Sequence, residues 1–299
     1  MNSPSKSPAN HIIVDSHSVT PNVTITNHNE LDTQFLSVGE GRIAYDDTGG
    51  SGPLILAIPG MGDLRSEYRA LRPWLQEAGY RMVTMDLRGH GETTAEWNDY
   101  SAHAISRDAI TLIKHLGVEP AVILGNSFAA GSALWAAHDA PAHVRAVVLL
   151  GPVLRDLQSS WLAKIAVAVG FGGPWRVSFW LAFWNSLFTS RKPADHRQAR
   201  AALGMNLKEP ARMQALRTMI GLSKAETASI VTQNRVPAMV VMGTHDPDFK
   251  NPNAEAEWLG AALGTDPLMI EGAGHYPHLE MPELVAPPLL NFLARHVMK

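Results

Sequence analysis

The segment from Val122 to Gly131 constrains the fold of this chain more than any other. It reads Val-Ile-Leu-Gly-Asn-Ser-Phe-Ala-Ala-Gly, an apolar run ending in glycine and followed at once by a helix-forming stretch. A strand that turns sharply into a helix lifts the residue at the bend, here Ser127, clear of the sheet. Strand and helix approach closely at such a bend, and Gly125 and Ala129 supply the small neighbours it needs. The segment predicts a presented serine hydroxyl; a serine that caps an ordinary helix is the alternative.

Length and composition limit the classes of protein that the chain can represent. With 299 residues, 45% hydrophobic and 18% charged, it can bury a large core, as one α/β domain or a domain with an insertion. A formal net charge of −3 does not favour a nucleic-acid partner. The lack of cysteine excludes disulfides and thiolate catalysis, and the 13 histidines show no His-Glu-x-x-His spacing. We therefore expect no metal and no other cofactor.

Apolar runs alternate with helix-forming stretches along most of the chain. A predicted hairpin at residues 33–38 and 42–46 comes first. Further strands are predicted at residues 53–58, 80–87, 121–124, 145–150, 237–242 and 267–270. Helices are predicted at residues 66–78, 101–116, 128–138, 254–263 and 282–296. Strands that alternate with helices predict an α/β fold with a doubly wound, mostly parallel sheet.

The chain divides into three parts. Residues 1–30 are rich in Ser, Thr, Asn and His and lack the apolar segment of a signal peptide, so we expect a tail or arm on a cytoplasmic protein. Residues 31–154 and 236–299 carry the alternating pattern and form the predicted core. The break between them, residues 155–235, is too long for a loop and predicts several helices. No oligomeric state is predicted.

A serine hydroxyl is a poor nucleophile, so Ser127 needs a base to take its proton. The best candidate is His275, which follows the last predicted strand and so lies at the same edge of the sheet as Ser127. His278 is the competitor, but it begins the next predicted helix, where it would cap or pack. His90 and His245 lie in turns and have weaker claims.

The base in turn needs a carboxylate that orients it. The candidate is Asp246, which lies just past a predicted strand and after a glycine that lets the chain turn. Asp248, two residues further along, is the alternative and would need a longer loop to reach His275. The chain order Ser127, Asp246, His275 is one of the orders in which such triads occur.

Several motifs together resemble the α/β-hydrolase family, over nearly the whole chain from about residue 31. They are Pro59-Gly60, Asp86-Leu-Arg-Gly-His-Gly91, Gly125-Asn-Ser127, Gly243-Thr-His-Asp246 and Gly274-His275. The resemblance implies the doubly wound sheet, a helical cap inserted at residues 155–235, and a triad of serine, aspartate and histidine.

The resemblance also implies where a tetrahedral oxyanion would be bound. One N–H donor would come from Phe128, the residue after the nucleophile, and the other from Met61 in the Gly-Met-Gly loop after the third strand. The turn at residues 88–91 is similar to a structural turn of the family and receives no catalytic role. Two positions depart from the family pattern: Ala129 replaces the usual glycine, and Pro59 stands where many relatives have histidine.

The implied function is hydrolysis of an apolar, ester-like small molecule through a serine acyl-enzyme. A serine at position 127 argues against haloalkane dehalogenases and epoxide hydrolases, relatives that carry aspartate there. Asn126 is similar to the Gly-Asn-Ser of carbon–carbon bond hydrolases, and lactonases, cofactor-free haloperoxidases and small amidases share the triad. A ligand receptor with vestigial hydrolysis is the alternative from a different class.

The predicted cap differs from the rest of the chain in charge and aromatic content. It holds 12 Lys/Arg against 4 Asp/Glu, a formal charge of +8, whereas the remainder holds 13 against 24, or −11. Residues 161–188 contain four of the eight tryptophans and four of the eight phenylalanines. We expect part of this stretch to line an apolar substrate pocket, and packing on the main domain is the alternative. The candidates are Trp180 and Trp184 on one helix face and Phe179 and Phe183 on the adjacent one.

The same stretch raises the question of membrane contact. Glycines and a proline at residues 170–174 leave pieces shorter than the ~20 residues that a helix needs to cross a bilayer, so no span is predicted. The positive charge could attract anionic esters or a membrane surface. Surface contact by the cap is the lesser alternative.

Overall fold

The computed structural model describes residues 31–156 and 161–297, without the side chains of residues 163 and 164. The predicted N-terminal tail, residues 1–30, lies outside the described residues. The strands are β1 (Gln34–Val38), β2 (Gly41–Asp47), β3 (Leu54–Ile58), β4 (Arg81–Met85), β5 (Ala121–Asn126), β6 (Val144–Leu150), β7 (Ala238–Gly243) and β8 (Leu268–Ile270). The α-helices are α1 (Arg72–Glu77), α2 (Ala102–Leu116), α3 (Ala129–Asp139), α4 (Trp161–Gly172), α5 (Arg176–Ser186), α6 (His196–Asn206), α7 (Arg212–Ile220), α8 (Ala225–Ile230), α9 (Pro252–Leu263), α10 (Pro277–Glu280) and α11 (Pro282–His296).

The eight strands form one sheet in the order β1-β2-β4-β3-β5-β6-β7-β8. The pairs β1–β2 and β2–β4 are antiparallel and all others are parallel, so the predicted doubly wound, mostly parallel sheet is confirmed. Every residue of β3 and β5 is buried, as expected for parallel strands with helices on both faces. Since the parallel strands all end at the same edge, the loops that follow them meet there.

The two faces of the sheet are covered by different helices. In β5, Ile123 packs in a cluster with Leu112 of α2, whereas Val122 and Leu124 pack in a cluster with Leu289 of α11. This alternation follows from the two-residue side-chain period of a strand. Because both faces of the sheet are covered by apolar side chains at β5, the register of this strand is fixed, and the residue at its end is held in place.

The predicted helix at residues 66–78 is wrong in one respect, since the chain forms two pieces there. A 3₁₀ helix, Arg65–Ala70, is followed by α1, and Pro73 lies in the first turn of α1. Proline has no N–H to donate to the carbonyl four residues earlier, so it cannot continue a helix that is already running. The helix therefore breaks at Leu71 and starts again at Arg72, with Pro73 in the first turn, where a proline is tolerated.

Helices α4 to α8 lie between β6 and β7, and none of the eight strands comes from residues 155–235. We call residues 155–235 the insertion. Its inner side forms a third apolar cluster, in which Trp184 and Leu203 pack with Tyr276 and Leu279 of the main domain. Within the described part of the chain, no helix has the length and apolar character needed to cross a membrane.

Two tryptophans of the insertion differ in burial, and this difference allows a test of stability. Trp184 is 1% exposed, whereas Trp175 is 54% exposed. The Trp184→Ala variant is expected to lose about 3–5 kcal/mol of unfolding free energy, because it leaves a large cavity. Trp175→Ala, the matched control, should lose less than about 1 kcal/mol. Urea unfolding followed by circular dichroism checks both values, and equal losses would contradict the packing described here.

Candidate active site

Ser127 occupies a sharp turn between β5 and α3. Its backbone has φ 54°, a left-handed conformation that non-glycine residues rarely adopt. A β-carbon at Gly125 would lie 2.4 Å from the carbonyl oxygen of Ala129, so strand and helix touch at the expected place. The turn is fixed by two main-chain hydrogen bonds, from Ser127 N–H to Leu150 O (2.9 Å) and from Val153 N–H to Ser127 O (3.2 Å). This geometry is the strand–helix turn that the sequence predicts at Ser127.

Asn126 ties the same turn to its neighbours. Its side-chain amide donates to Leu150 O at 2.9 Å, and its Oδ1 is buried. A β-carbon on Gly60 would lie 2.7 Å from that Oδ1 and 3.3 Å from the β-carbon of Ser127. Only a glycine at position 60 therefore lets the loop after β3 approach the serine this closely.

His275 and Asp246 form a buried pair in the loops after β8 and β7. Nδ1 of His275 lies 2.8 Å from Oδ2 of Asp246, and the two residues are 2% and 1% exposed. The other oxygen of Asp246 accepts the main-chain N–H of Asp248 at 3.0 Å. The carboxylate of Asp248 lies 3.5 Å from Nδ1, so both aspartates reach the ring without a longer loop. Asp246 makes the hydrogen bond, and Asp248 adds a second negative charge.

The turn after β6 contacts both the serine and the histidine pair. Leu150 is the acceptor for Ser127 N–H, and the next residue is Gly151, with φ 50°. A β-carbon on Gly151 would lie 2.6 Å from the carbonyl oxygen of His275 and 3.5 Å from Oδ2 of Asp246. Gly151 was not identified from the sequence. Its signal was only a glycine directly after a predicted strand, as at many turns.

The electrostatics of the pair favour a charged imidazole. Burial by itself lowers the pKa of His275, but the charges of Asp246 and Asp248 and the hydrogen bond to Asp246 outweigh it and raise that pKa to about 9. Burial raises the pKa of Asp248, and the positive charge of His275 opposes that rise. The site thus stabilises positive charge on His275, as a base that must hold a proton during a reaction requires.

The same three residues are the cluster in the described chain that could hold a metal ion. One ligand atom each from Asp246, Asp248 and His275 lies within 4.8 Å of the others. The Nδ1–Oδ2 distance of 2.8 Å is that of a hydrogen bond. A metal ion would have to displace the proton in this bond, so the geometry fits an oriented imidazole better than a ligand set.

The loop Gly60–Gly62 is held at both ends by buried side chains. Glu67 Oε2 accepts Gly60 N–H at 2.8 Å, and His90 Nε2 accepts Gly62 N–H at 3.0 Å. Because a main-chain N–H can only donate, Nε2 of His90 carries the lone pair and Nδ1 donates to Arg88 O at 3.0 Å. Burial lowers the pKa of His90 to about 4, which keeps this neutral form at pH 7. Met61 lies between the two fixed glycines.

His278 contacts Glu67, one of the two side chains that hold this loop. Its Nε2 lies 3.0 Å from Oε1 of Glu67, both side chains are buried, and its ring stacks on Tyr68 at 5.4 Å. Burial raises the pKa of Glu67 to about 8 and lowers that of His278 to about 3, so the interior disfavours charge on both groups. The predicted packing role of His278 agrees with this contact. Glu67 was missed, because a lone glutamate in a helix-forming stretch carries no sequence signal.

The insertion reaches the same loop through helix α5. The indole N–H of Trp180 donates to Gly62 O at 2.9 Å, and that of Trp184 donates to Oδ2 of Asp63 at 2.8 Å. Burial and the neighbouring Glu67 raise the pKa of Asp63 to about 7. The insertion also touches the histidine, since Leu187 O accepts the main-chain N–H of His275 at 2.9 Å.

The four predicted pocket residues differ in their surroundings. Trp180 and Trp184 are both buried in the third cluster; Trp180 also contacts the Gly60–Gly62 loop, and Trp184 stacks on His196 at 4.8 Å. Phe179 is partly buried against Phe171, and Phe183 is 39% exposed. Of the four, Trp180 lies nearest to the loop that borders Ser127.

The main-chain N–H groups of Met61 and Phe128 lie in the two segments beside Ser127. Within the described residues, neither N–H donates to a main-chain or side-chain acceptor. Phe128 precedes α3, so its N–H is one of the unpaired donors of a helix start. Met61 is fixed between two glycines that are themselves bonded. Two free donors in the segments beside Ser127 could bind an anionic oxygen.

Comparison with known proteins identifies the fold family to which this architecture corresponds. A family model described as the alpha/beta hydrolase fold matches residues 53–282. A "2-heptyl-3-hydroxy-4-quinolone dioxygenase AqdC1" from Rhodococcus erythropolis is 24% identical over 266 residues, covering 84% of this chain and 91% of that protein. A "Bifunctional epoxide hydrolase 2" from Sus scrofa is 34% identical over 104 residues, which are 34% of this chain and only 19% of that protein.

Solved structures agree on the fold. A crystal structure described as a putative lipase from Acinetobacter baumannii superposes with a TM-score of 0.74 at 21% identity, covering 90% of this chain and 92% of the other. At that identity the likeness concerns the fold alone. The family model, by contrast, spans most of the chain, from the third strand to the start of the last helix. The chain belongs to the α/β-hydrolase fold family.

Proposed function

We propose that this protein is a serine hydrolase that cleaves an ester-like acyl bond through an acyl-enzyme. The observation that carries the proposal is the left-handed turn at Ser127, with the buried pair of His275 and Asp246 across Gly151. Membership of the α/β-hydrolase family supports a hydrolase. The alternative partner, Asp248, is assigned the lesser role because it makes no hydrogen bond to the ring.

In the proposed acylation, the oxygen of Ser127 attacks the ester carbonyl carbon while His275 Nε2 takes the hydroxyl proton. The carbonyl oxygen becomes an anion, which the N–H groups of Met61 and Phe128 would bind. Collapse of this intermediate breaks the bond to the alcohol. The alcohol oxygen leaves with the proton from His275, and the acyl group stays on the serine.

Deacylation repeats these steps with water. His275 takes a proton from the water as its oxygen attacks the acyl carbon, and it returns that proton to Ser127 as the acid leaves. In each half-reaction Asp246 orients the ring and stabilises the transient imidazolium. We assign the apolar side of the substrate to the insertion, with Trp180 as the pocket residue next to the loop.

The Ser127→Ala variant should lower turnover of p-nitrophenyl esters by about 10³-fold or more, because no acyl-enzyme can form. Ser132→Ala is the matched control. Ser132 is a buried serine one turn further along α3, and its hydroxyl has no partner among the described residues. Steady-state kinetics on both variants checks the expectation. Wild-type rates in Ser127→Ala would refute the proposed nucleophile.

The pH dependence tests the two aspartates. Because the pKa of His275 is about 9, its imidazole is mostly protonated at pH 7 and cannot act as a base in that form, so kcat/KM should rise with pH toward that value. Asp248→Asn removes one negative charge beside the ring, so the pKa should fall and the rising limb should move to lower pH. Asp266→Asn, an exposed aspartate, is the control. A limb that stays in place in Asp248→Asn would contradict the assigned electrostatics.

A second function, dioxygenation, is favoured by one comparison. The Rhodococcus relative that aligns along most of this chain is a dioxygenase whose name gives a 3-hydroxy-4-quinolone as substrate. In such a reaction His275, oriented by Asp246, would remove the ring hydroxyl proton, and the resulting anion would take up O₂. Ser127 would form no covalent bond.

Two variants separate these functions. With 2-heptyl-3-hydroxy-4-quinolone in an oxygen electrode, a dioxygenase consumes O₂, loses this activity in His275→Ala and keeps most of it in Ser127→Ala. A serine hydrolase consumes no O₂ and loses ester turnover in both variants. One turnover per chain on every ester tried, with no O₂ uptake, would indicate a ligand receptor instead.

A further inference from the structure

Large exposed apolar side chains are concentrated in one part of the insertion. Of the ten such residues in the described chain, six lie on α4 or just after it, with exposed fractions from 41% to 69%. Contiguous exposed apolar residues mark interaction sites rather than ordinary surface. We call the six the α4 surface: Trp161, Leu162, Ile165, Val167, Val169 and Trp175.

Up to residue 169, the exposure of α4 is not confined to one face of the helix. The five consecutive residues from Ile165 to Val169 are all exposed, and five residues make more than one helical turn of 3.6 residues. No side of this part of α4 is buried by the described chain, whereas the end of the helix, at Gly170 and Phe171, packs against α5. A groove on a partner protein would cover one face of such a helix, whereas an apolar medium covers all of it.

The length of α4 limits how that medium can be entered. Its 12 residues span about 18 Å, well short of the ~30 Å hydrocarbon core of a bilayer. In the sequence of α4, Lys164 is the sole charged residue. The helix can therefore enter one leaflet without crossing it and without taking a carboxylate into the lipid.

A basic cleft begins where α4 ends. It has a volume of about 680 Å³, and Gly172 and Gly173 form part of its wall. The one acid among its lining residues, Glu209, pairs with Arg212 at 3.2 Å. Three exposed cations of the cleft have no carboxylate within 4.0 Å among the described residues, so their charge faces solvent. They are Arg176, Lys208 and Arg217.

We propose that the α4 surface and this cleft dock the protein on an anionic phospholipid membrane. The apolar side chains enter the outer acyl region of one leaflet, and the three cations bind lipid phosphates at the headgroup level. The charge distribution selects the orientation, since the insertion carries +8 and the rest of the chain −11. The insertion therefore faces an anionic surface, and the main domain is repelled from it.

The test is co-sedimentation of the full chain with vesicles, which needs no enzymatic activity. One set contains phosphatidylcholine and phosphatidylglycerol in equal amounts, and the other contains phosphatidylcholine alone. Wild type should sediment with the anionic vesicles at least tenfold better than with the neutral ones, and less well at high salt because salt screens the attraction. Wild type that stays in the supernatant with anionic vesicles overturns the proposal.

Two double variants divide the apolar and electrostatic contributions. Ile165→Glu with Val169→Glu should abolish binding to both kinds of vesicle. Arg176→Gln with Arg217→Gln should weaken binding to anionic vesicles by about five-fold per lost cation and leave the weak neutral binding unchanged. Leu284→Glu is the control, an equally apolar residue that is 48% exposed on α11 of the main domain. Equal losses in this control and in the α4 variant contradict the assigned surface.

Sedimentation velocity without lipid detects the other occupant of the α4 surface, a second copy of this chain. The proposal expects wild type and the α4 double variant to show the same sedimentation coefficient. A wild-type dimer that the α4 variant converts to a monomer, with no vesicle binding by wild type, would assign the surface to self-association and overturn the membrane proposal.

Discussion

The left-handed backbone at Ser127 is the constraint on which the candidate site depends. A non-glycine residue in this conformation costs about 1–3 kcal/mol and persists only where its surroundings enforce it. Leu150 O accepts both the main-chain N–H of Ser127 and the amide of Asn126, and Val153 N–H donates to Ser127 O. These bonds fasten the turn to the chain after β6, which also passes directly beside His275. One stretch of chain thus fixes both the strained serine and the proposed base.

The loop that carries Met61 is fixed by one nearby residue, Glu67, and by two that are distant in sequence, His90 and Trp180. His90 and Glu67 accept the N–H groups of its two glycines, and Trp180 of the insertion donates to a carbonyl of the same loop. Burial keeps His90 neutral, so its lone pair remains available to the loop at neutral pH. The insertion therefore contributes to the rigidity of this loop.

Whether a feature could be predicted depended mainly on how far apart in the sequence its residues lie. The turn at Ser127 and the sheet were predictable because spacing and local periodicity encode them, and the helix break at Pro73 was missed although its signal is local. The contacts that hold the Gly60–Gly62 loop were not predictable. His90 lies 28 residues from Gly62, and His278 lies 211 residues from its partner Glu67. The sequence favoured Asp246 over Asp248 because of its position after the strand, but it did not indicate that both carboxylates reach the ring.

The aromatic residues of the insertion show why composition alone could not assign their roles. Trp184 and Trp161 lie in the same apolar stretch, yet one is 1% exposed and the other 69%. A buried indole needs an acceptor for its N–H, and Asp63 on the main domain supplies one to Trp184. Helix α5 can therefore face inward, since its buried polar groups are satisfied there. In helix α4 only the end, at Phe171, packs on α5, and the apolar residues from Ile165 to Val169 are exposed, where lipid would cover them without any need for hydrogen bonds.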